Sequence, residues 1–406
     1  MKPHKRILIV VTQTPPRGLG MACSEMPGLP PRDVAQMAAE LLRLGAEVRV
    51  LDQDTERLGE RIVRRETRLW RADMVMLYAG GSFVAANPVP DASSIRRLLS
   101  GWSPSAVLVA AGPLAVRYAE ELLSTFPDLA GALTSEVSAE LAALEPVEDI
   151  PGMVVRDGDE TRRNPPPSEP PPDVMPAWEV LPLDACAART IGGARLLDVL
   201  CPEWDIDGTL GMVRHAAHRG GGRKVTFVNR DIAEDHDFVR ELSRGMISAA
   251  PGMDWSVRVR ADHLDPMIAL TFANGGCREM LVCPPEGHHG AGHAPMDDAT
   301  RSQMENAIEV ARVTGMAVAL EHVIGRPGHD RGMLSAWQRW YADRQILVHP
   351  HVRLLHAGDK GPGRPDLAEA SERAGCWDNE LTPRIVARAV RETSDKVRLA
   401  AGLAGA

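Results

Sequence analysis

Short apolar runs alternate with segments of helical periodicity through the first 144 residues of the chain. Arg6–Val11 is a continuous apolar run of the kind that forms a buried parallel strand. Asp33 can cap the helix that follows, because apolar residues recur over positions 34–42 at the spacing of one helix face. Further apolar runs predict strands at 48–51, 73–78, 106–110 and 131–133. This β-α-β rhythm predicts a doubly wound parallel sheet over residues 1–144.

Glycine and small polar residues follow the ends of these predicted strands. Ligands of doubly wound sheets bind outside the carboxyl ends of the strands, so this edge is the candidate binding site. Its residues are Gly80, Gly81, Ser82, Gly112, Pro113, Ser135 and Glu136. Two interpretations are open: the glycines let a large planar or phosphate-bearing ligand approach the backbone, or they are ordinary turn residues.

Proline and glycine interrupt the pattern over residues 145–188, which are predicted to link two domains. Residues 153–160 can form a hairpin, because Asp157-Gly158 is a favoured two-residue turn. The proline-rich stretch 164–172 must be extended and semi-rigid. A second domain is therefore expected to begin at residue 189.

Strand and helix alternate again over residues 189–355. About six strands with helices between them predict a partial (β/α) barrel rather than eight complete units. The predicted strands lie at 195–200, 224–228, 256–259, 279–282, 317–321 and 346–348. The loop that follows the first of these strands is where such a domain places its chemistry. Residues 356–406 are predicted to be a C-terminal extension that ends in a helix over 383–399.

Composition and charge narrow the class of protein. The chain has 406 residues, of which 44% are hydrophobic, and its formal net charge is −9. An acidic chain lacks the basic footprint of a nucleic-acid-binding protein, and no apolar run is long enough to span a membrane. The first apolar run is too short for a signal peptide, so we expect a cytoplasmic protein. The six cysteines form no C-x-x-C pair, which argues against a disulfide framework.

Several phrases of the chain occur in the order and spacing of one known family. They include Ile150-Pro151-Gly152 and the segment 176–183, which reads Pro-Ala-Trp-Glu-Val-Leu-Pro-Leu. Farther along are Arg258-Val259-Arg260-Ala261-Asp262-His263 and Gly275-Gly276-Cys277-Arg278. Over residues 5–330 the sequence resembles cobalamin-binding-domain radical S-adenosylmethionine (SAM) proteins.

The resemblance implies that the first domain binds cobalamin face-on, and that the barrel holds SAM and a four-iron four-sulfur cluster. The seven strand-end residues from Gly80 to Glu136 would then contact cobalamin, whereas Arg260 and Glu286 would contact SAM. Known members methylate or rearrange unactivated carbons, often in natural-product or pigment pathways.

The cluster motif is where this sequence departs from the family. The family holds its cluster with C-x-x-x-C-x-x-C after the first barrel strand, and the three thiolates leave one iron open for SAM. Here Cys201 stands at the first position, but the next two are Asp205 and Gly208. Iron–sulfur clusters are held by cysteine thiolates, and glycine has no side chain. A cluster of the chain's own is therefore not expected, and Cys201 is the only ligand position that remains.

Histidines offer two weaker hypotheses for a metal site. His215 and His218 could join Cys201 or the acidic residues of the loop that contains it. Three more histidines lie within residues 288–293, in a glycine-rich loop. The alternative for both groups is an ordinary solvated surface, which is the more frequent meaning of such a pattern.

Hypotheses of two different functional classes follow. In the first, the chain is a catalytically degenerate partner or accessory subunit of an intact cobalamin-dependent radical SAM enzyme. In the second, it is a methyltransferase or cyclase that uses cobalamin or SAM on a small-molecule substrate without the cluster. A weaker hypothesis keeps an unusual cluster, shared across a subunit interface, to which Cys201 contributes. Under the second hypothesis, polar residues near the strand ends would surround the active site; the alternative is that they are ordinary polar residues of loops. They are Asp205, Asp207, Asn229, Asp231, Arg258, Arg260, Glu286 and Glu321.

Overall fold

The chain, seen in a computed structural model, divides into two compact units with the boundary between Ala185 and Cys186. The structure describes residues 5–13, 31–53, 55–79, 92–135, 137–158, 160–168, 174–187, 196–198, 205–221, 223–227, 231–283, 298–324, 331–344 and 347–352. The predicted C-terminal extension and its helix lie outside these residues.

Seven strands form one sheet in the first unit. They are β1 (Arg6–Val11), β2 (Glu47–Asp52), β3 (Met74–Tyr78), β4 (Val107–Ala111), β5 (Gly131–Leu133), β6 (Met153–Asp157) and β7 (Glu160–Arg163). The first five are parallel in the order β2-β1-β3-β4-β5, and β6 and β7 continue the sheet antiparallel. The predicted doubly wound sheet is confirmed.

Helices cover this sheet. They are α1 (Arg32–Arg43), α2 (Glu60–Trp70), α3 (Ser93–Leu99), α4 (Pro113–Thr125) and α5 (Ala139–Ala143), with short 3₁₀ turns at Val147–Asp149 and Trp178–Val180. A further short helix, α6 (Leu183–Ala187), spans the boundary with the second unit. The central strands are buried on both faces: Ile7 to Val10 and all of β3 are inaccessible or nearly so. This burial explains why their sequences are continuous apolar runs rather than alternating ones.

The hairpin β6–β7 belongs to the first unit. β6 pairs antiparallel with β5, and Gly158 takes a positive φ of 65° in the turn. Arg156 fixes the hairpin to the end of α4, because its guanidinium donates to the carbonyl oxygens of Phe126 (2.8 Å) and Leu129 (2.6 Å). Residues 153–163, which the sequence pattern assigns to the linker, therefore extend the first sheet.

The second unit is a sheet of six parallel strands. The strands are β8 (Leu196–Asp198), β9 (Lys224–Phe227), β10 (Asp254–Arg260), β11 (Cys277–Cys283), β12 (Ala317–Ile324) and β13 (Leu347–Val352). The helices between them are α7 (Ile206–Arg219), α8 (His236–Ala249), α9 (Pro266–Asn274), α10 (Asp298–Val313) and α11 (Arg331–Asp343). Neighbours in the sheet are neighbours in sequence, as the predicted partial barrel requires.

An aromatic cluster lies at the centre of this second unit. Trp255 is fully buried and packs edge-on against Phe227 and Phe272, with ring centroids 5.8 Å apart in each case. Its indole nitrogen donates to the carbonyl oxygen of Gly275 at 2.9 Å. This bond satisfies the one polar atom of a large buried side chain. None of the described helices is long and apolar enough to cross a membrane.

Candidate functional site

In the first sheet β1 lies between β2 and β3, so the chain moves to one side of β1 to form β2 and then crosses to the other side to form β3. At this reversal of strand order, the chain that follows β1 meets the end of β3. Thr12 donates its backbone N–H to the carbonyl oxygen of Tyr78, and the buried hydroxyls of Thr12 and Ser94 lie 3.3 Å apart. Burial and the neighbouring Asp33 raise the pKa of Tyr78, which keeps this phenol protonated. Such a reversal in strand order is where a doubly wound sheet binds its ligands.

Gly112 and Pro113 form a tight turn from β4 into α4. Gly112 has a φ of +82°, and a Cβ there would lie 2.9 Å from the ring of Tyr78 and 3.0 Å from the carbonyl oxygen of Ala79. Pro113 follows in the first turn of α4, where proline is favoured. The backbone geometry and the close approach of β3 account for glycine at position 112 without reference to a ligand.

Ser135 lies just past the end of β5 and faces the hairpin. Its hydroxyl occupies the space into which a Cβ at Gly152 would project, 1.7 Å from that position. The hydroxyl of the adjacent Thr134 donates to the carbonyl oxygen of Gly152 at 2.9 Å. The other predicted cobalamin contacts, Gly80, Gly81, Ser82 and Glu136, lie outside the described residues. The role of all seven residues in binding cobalamin remains a prediction.

Asp205 caps helix α7 at the position where the resemblance places a cluster ligand. Its two carboxylate oxygens accept from the backbone N–H groups of Asp207 (3.1 Å) and Gly208 (3.0 Å). Gly208, at the third cluster position, lies in the first turn of the same helix. Neither position offers a thiolate, and Cys201 lies outside the described residues.

The described cysteines, Cys186, Cys277 and Cys283, are buried thiols. Burial raises the pKa of the Cys277 thiol to about 12, so this thiolate does not form near neutral pH. The Cys283 thiol lies 3.1 Å from the carbonyl oxygen of Val259.

The structure places His215 and His218 far from Asp205, one of the acidic residues with which they could form a metal site, and Cys201, the other candidate partner, lies outside the described residues. Both histidines lie in the last turns of α7, whereas Asp205 caps its beginning. Asp205 and His215 are ten positions apart in the chain, a rise of about 15 Å along a helix at 1.5 Å per residue. Across the described ranges, no group of three or more His, Cys, Asp or Glu side chains could hold a metal ion. The three histidines of 288–293 lie outside those ranges.

Asp231 and His263 form a close pair beyond the carboxyl ends of β9 and β10. The Nδ1 atom of His263 lies 2.6 Å from the carboxylate Oδ2 of Asp231. The other carboxylate oxygen accepts from the backbone N–H groups of Ala233 and Arg260, both at 3.2 Å. Because this carboxylate is an acceptor throughout, Nδ1 donates to it, so Nε2 is the acceptor atom whenever the imidazole is neutral. The carboxylate of Asp262 lies 3.9 Å from Nε2.

Arg260, the predicted SAM contact, is held by its neighbour Asp262. The guanidinium donates Nε–H to one carboxylate oxygen at 3.1 Å and a terminal N–H to the other at 2.6 Å. These bonds raise the pKa of Arg260. Of the other candidates, Asn229 and Glu286 lie outside the described residues, the side chain of Glu321 is not described, and Arg258 is partly buried within β10. The predicted contact of Arg260 and Glu286 with SAM is untested.

A small cavity of about 250 Å³ opens beside His263. Its polar lining residues are Glu234, His236, Asp262, His263 and Asp265. His263 is about one quarter exposed, whereas the Asp231 carboxylate that orients it is almost fully buried. An imidazole held by a buried carboxylate at the edge of an open cavity can accept or donate a proton there.

Asp262 and His263 are functional candidates that the sequence pattern alone did not single out. Both occur in the phrase Arg258–His263 that carries the resemblance, directly after β10. The sequence signal that could have indicated this site is a histidine three residues beyond the end of a strand. Its partner Asp231 is 32 residues away, so only the fold brings the two together.

No protein-family model and no curated protein sequence matches the chain. Solved structures do match. The radical SAM methyltransferase TsrM from Kitasatospora setae, with cobalamin and a [4Fe-4S] cluster bound, is 16% identical with a TM-score of 0.54, and the match covers 85% of this chain and 74% of TsrM.

The chain has the fold of cobalamin-dependent radical SAM enzymes. A second TsrM structure, with tryptophan substrate and a SAM analogue bound, matches with a TM-score of 0.53 at 16% identity, over 85% of this chain and 72% of TsrM. OxsB, a cobalamin-dependent SAM radical enzyme with aqua-cobalamin bound, matches with a TM-score of 0.53 at 9% identity. That match covers 98% of this chain but only 56% of OxsB.

Proposed function

We propose that this chain is a cobalamin-binding protein of the radical SAM fold that builds no iron–sulfur cluster of its own. In this role it serves as a partner or accessory subunit of an intact cobalamin-dependent radical SAM enzyme in a biosynthetic pathway. The observation that carries the proposal is the start of α7, where Asp205 is a helix cap and Gly208 is a helical residue without a side chain.

The chemistry of the donor set supports the absence of a cluster. A site-differentiated cluster needs three thiolates, and the residues at positions 205 and 208 supply none. The Asp205 carboxylate already accepts two backbone N–H groups, so turning it towards a metal would leave the first turn of α7 uncapped. The residues present therefore do not fit the cluster that TsrM contains.

The edge of the first sheet has features that support the binding of a large flat ligand. Its strands reverse in order beside β1, and small residues, Ala79, Ala111 and Gly112, line the ends of β3 and β4. Cobalamin, when bound, supplies a cobalt ion that can carry a methyl group. The part of the protein is to hold the macrocycle against this edge and to keep the strand-end loops in place.

A second candidate function rests on the Asp231–His263 pair. In this alternative the chain is an active methyltransferase or cyclase that transfers a group by polar chemistry and needs no cluster. A nucleophilic substrate loses a proton when it is alkylated, and His263 Nε2 beside the 250 Å³ cavity can accept that proton. Asp231 would stabilise the imidazolium that forms.

Anaerobic reconstitution with iron and sulfide tests the proposed lack of a cluster. We expect the native chain to show no cluster absorbance and to cleave no SAM. The double variant Asp205→Cys, Gly208→Cys restores the spacing C-x-x-x-C-x-x-C with Cys201, and it is the matched positive control. A stoichiometric cluster in the native chain would overturn the proposal, and its loss on Cys201→Ala would favour a cluster shared between subunits.

Cobalamin and methyl transfer are tested on the same preparation. Hydroxocobalamin binding, followed by its visible spectrum, is expected for the native chain. Demethylation of bound methylcobalamin in the presence of a nucleophile but no reductant would favour the second function, and His263→Gln should then lower its rate. A chain that binds no cobalamin contradicts the first function and the cobalamin-dependent form of the second.

A further inference from the structure

Helix α2 presents a set of arginines to a groove on the first unit. The groove has a volume of about 800 Å³ and lies between α2 and the loop that enters β4. We call it the arginine groove and define it by Arg61, Arg64, Arg65, Arg68, Arg71 and the segment 102–106. It lies at the amino ends of β3 and β4, the edge opposite to the candidate cobalamin site.

The helical repeat places these arginines together. Residues 61, 64, 65 and 68 recur at the i, i+3, i+4 and i+7 spacing that lines one face of a helix. Arg71 follows as the left-handed cap of α2, with a φ of 55°. Asp73 is the one acidic residue among those that line the groove, and its carboxylate accepts from the backbone N–H of Arg6.

Two of the arginines have structural partners. Arg64 donates to the carbonyl oxygens of Arg97 (3.0 Å) and Ser100 (2.9 Å) at the end of α3. Arg65 pairs with Glu66 at 3.0 Å.

The remaining three arginines, Arg61, Arg68 and Arg71, are exposed. Within the described part of the chain, no carboxylate pairs with any of them.

Helix stability does not account for this arrangement. Positive charges three and four residues apart repel one another along α2, and an isolated helix is destabilised by such pairs. Arg61 lies in the first turn, where the helix dipole disfavours a positive charge. Only Arg68 and Arg71, at the end of the helix, gain from the dipole. An anion in the groove would relieve all of these repulsions at once.

We propose that the arginine groove binds a small anionic ligand that carries several phosphate groups. Guanidinium groups form two parallel hydrogen bonds to phosphate oxygens, and three free arginines can engage a chain of two or three phosphates. The volume of the groove lies within the range of small-molecule sites, about 300–1,000 Å³. The net charge of −9 argues against a nucleic acid as the occupant, since repulsion from the rest of the surface would oppose it.

Tripolyphosphate is the probe, titrated into the full chain by calorimetry at constant ionic strength. The triple variant Arg61→Gln, Arg68→Gln, Arg71→Gln leaves the bonds of Arg64 and Arg65 intact. We expect it to weaken binding by about tenfold or more. The control is Arg214→Gln, Arg219→Gln, Arg223→Gln, which removes three exposed arginines from a basic groove of the second unit. It should change the affinity by less than about twofold.

Four results would overturn the proposal. They are no binding by the native chain, an equal loss of affinity in the two triple variants, binding of hexaglutamate as tight as that of tripolyphosphate, and full affinity in the folded single variant Arg61→Gln. The single variant keeps the test decisive if the triple variant does not fold. No arm of the experiment requires cobalamin, so its outcome is independent of the function proposed above.

Discussion

The Asp231 carboxylate joins two loops of the second unit by accepting three hydrogen bonds. Two come from backbone N–H groups, and the third comes from His263. Removing a largely buried charged acceptor leaves its donors without partners, which costs about 1.5–3 kcal/mol for a bond to a charged group. The pair is therefore structural as well as a candidate for proton transfer.

We predict that Asp231→Ala lowers the free energy of unfolding by about 2 kcal/mol, and that Asp231→Asn lowers it by less. The asparagine side-chain oxygen still accepts from the backbone, whereas alanine accepts nothing. Urea denaturation followed by tryptophan fluorescence measures both. Asp237→Ala is the control, because that carboxylate is 82% exposed beside Arg240, and it should cost less than about 1 kcal/mol. Equal losses for the Ala and Asn variants would contradict this account.

Cys277 makes stability depend on pH in the alkaline range. Burial raises the pKa of its thiol from an ordinary value near 9 to about 12. Between these values the unfolded chain has lost the proton that the folded chain retains. The contribution of this thiol to the free energy of unfolding is therefore fully present below about pH 9 and is lost as the pH rises towards 12.

We predict that stability falls measurably between pH 9 and pH 11 and that Cys277→Ala removes part of this slope. The full slope for one proton is about 1.4 kcal/mol per pH unit. Denaturation midpoints across this range, for the native chain and the variant, provide the measurement. Identical slopes in the two proteins would show that the thiol is not the group responsible.

The turn from β4 into α4 depends on a backbone conformation and on close packing together. Gly112 has a positive φ, and a Cβ at this position would press against Tyr78 and Ala79. Gly101 offers a comparison, since its φ is +67° but a Cβ there would meet nothing within 4 Å. The two glycines separate conformational strain from steric overlap.

We predict that Gly101→Ala costs about 1 kcal/mol of stability and that Gly112→Ala costs about 2–4 kcal/mol. The difference reflects the displacement of β3 that a Cβ at position 112 would force. Chemical denaturation of the two variants tests it. If the two substitutions lower the free energy of unfolding equally, the close approach to Tyr78 adds nothing to the cost of Gly112→Ala.

Strands were the elements that the sequence pattern located best. Continuous apolar runs are needed wherever a parallel strand is buried on both faces, so the pattern of β1 and β3 has one good interpretation. The hairpin β6–β7 was also expected as a hairpin. Its place beside β5 was not, because pairing partners depend on register and packing rather than on local composition.

Binding of cobalamin should raise the stability of the whole folded chain. A ligand that binds only the folded state raises the free energy of unfolding by mass action, about 2.7 kcal/mol at a concentration of one hundred times Kd. We predict that hydroxocobalamin raises the midpoint of thermal unfolding in a concentration-dependent manner. Differential scanning calorimetry checks this, with free cobalt as the control. An unchanged midpoint at millimolar cobalamin would contradict cobalamin binding.

The sequence by itself determined the two α/β units, and it has Asp205 and Gly208 where the family resemblance would place thiolates. Repeated apolar runs require buried strands, and no conformation can give Asp205 or Gly208 a thiolate. Only the tertiary structure decided that Asp205 caps α7, that His263 meets Asp231 across 32 residues, and that the arginines of α2 face the segment before β4. The reason is physical: local propensity sets the elements, whereas contacts between distant residues follow from the register and packing of those elements.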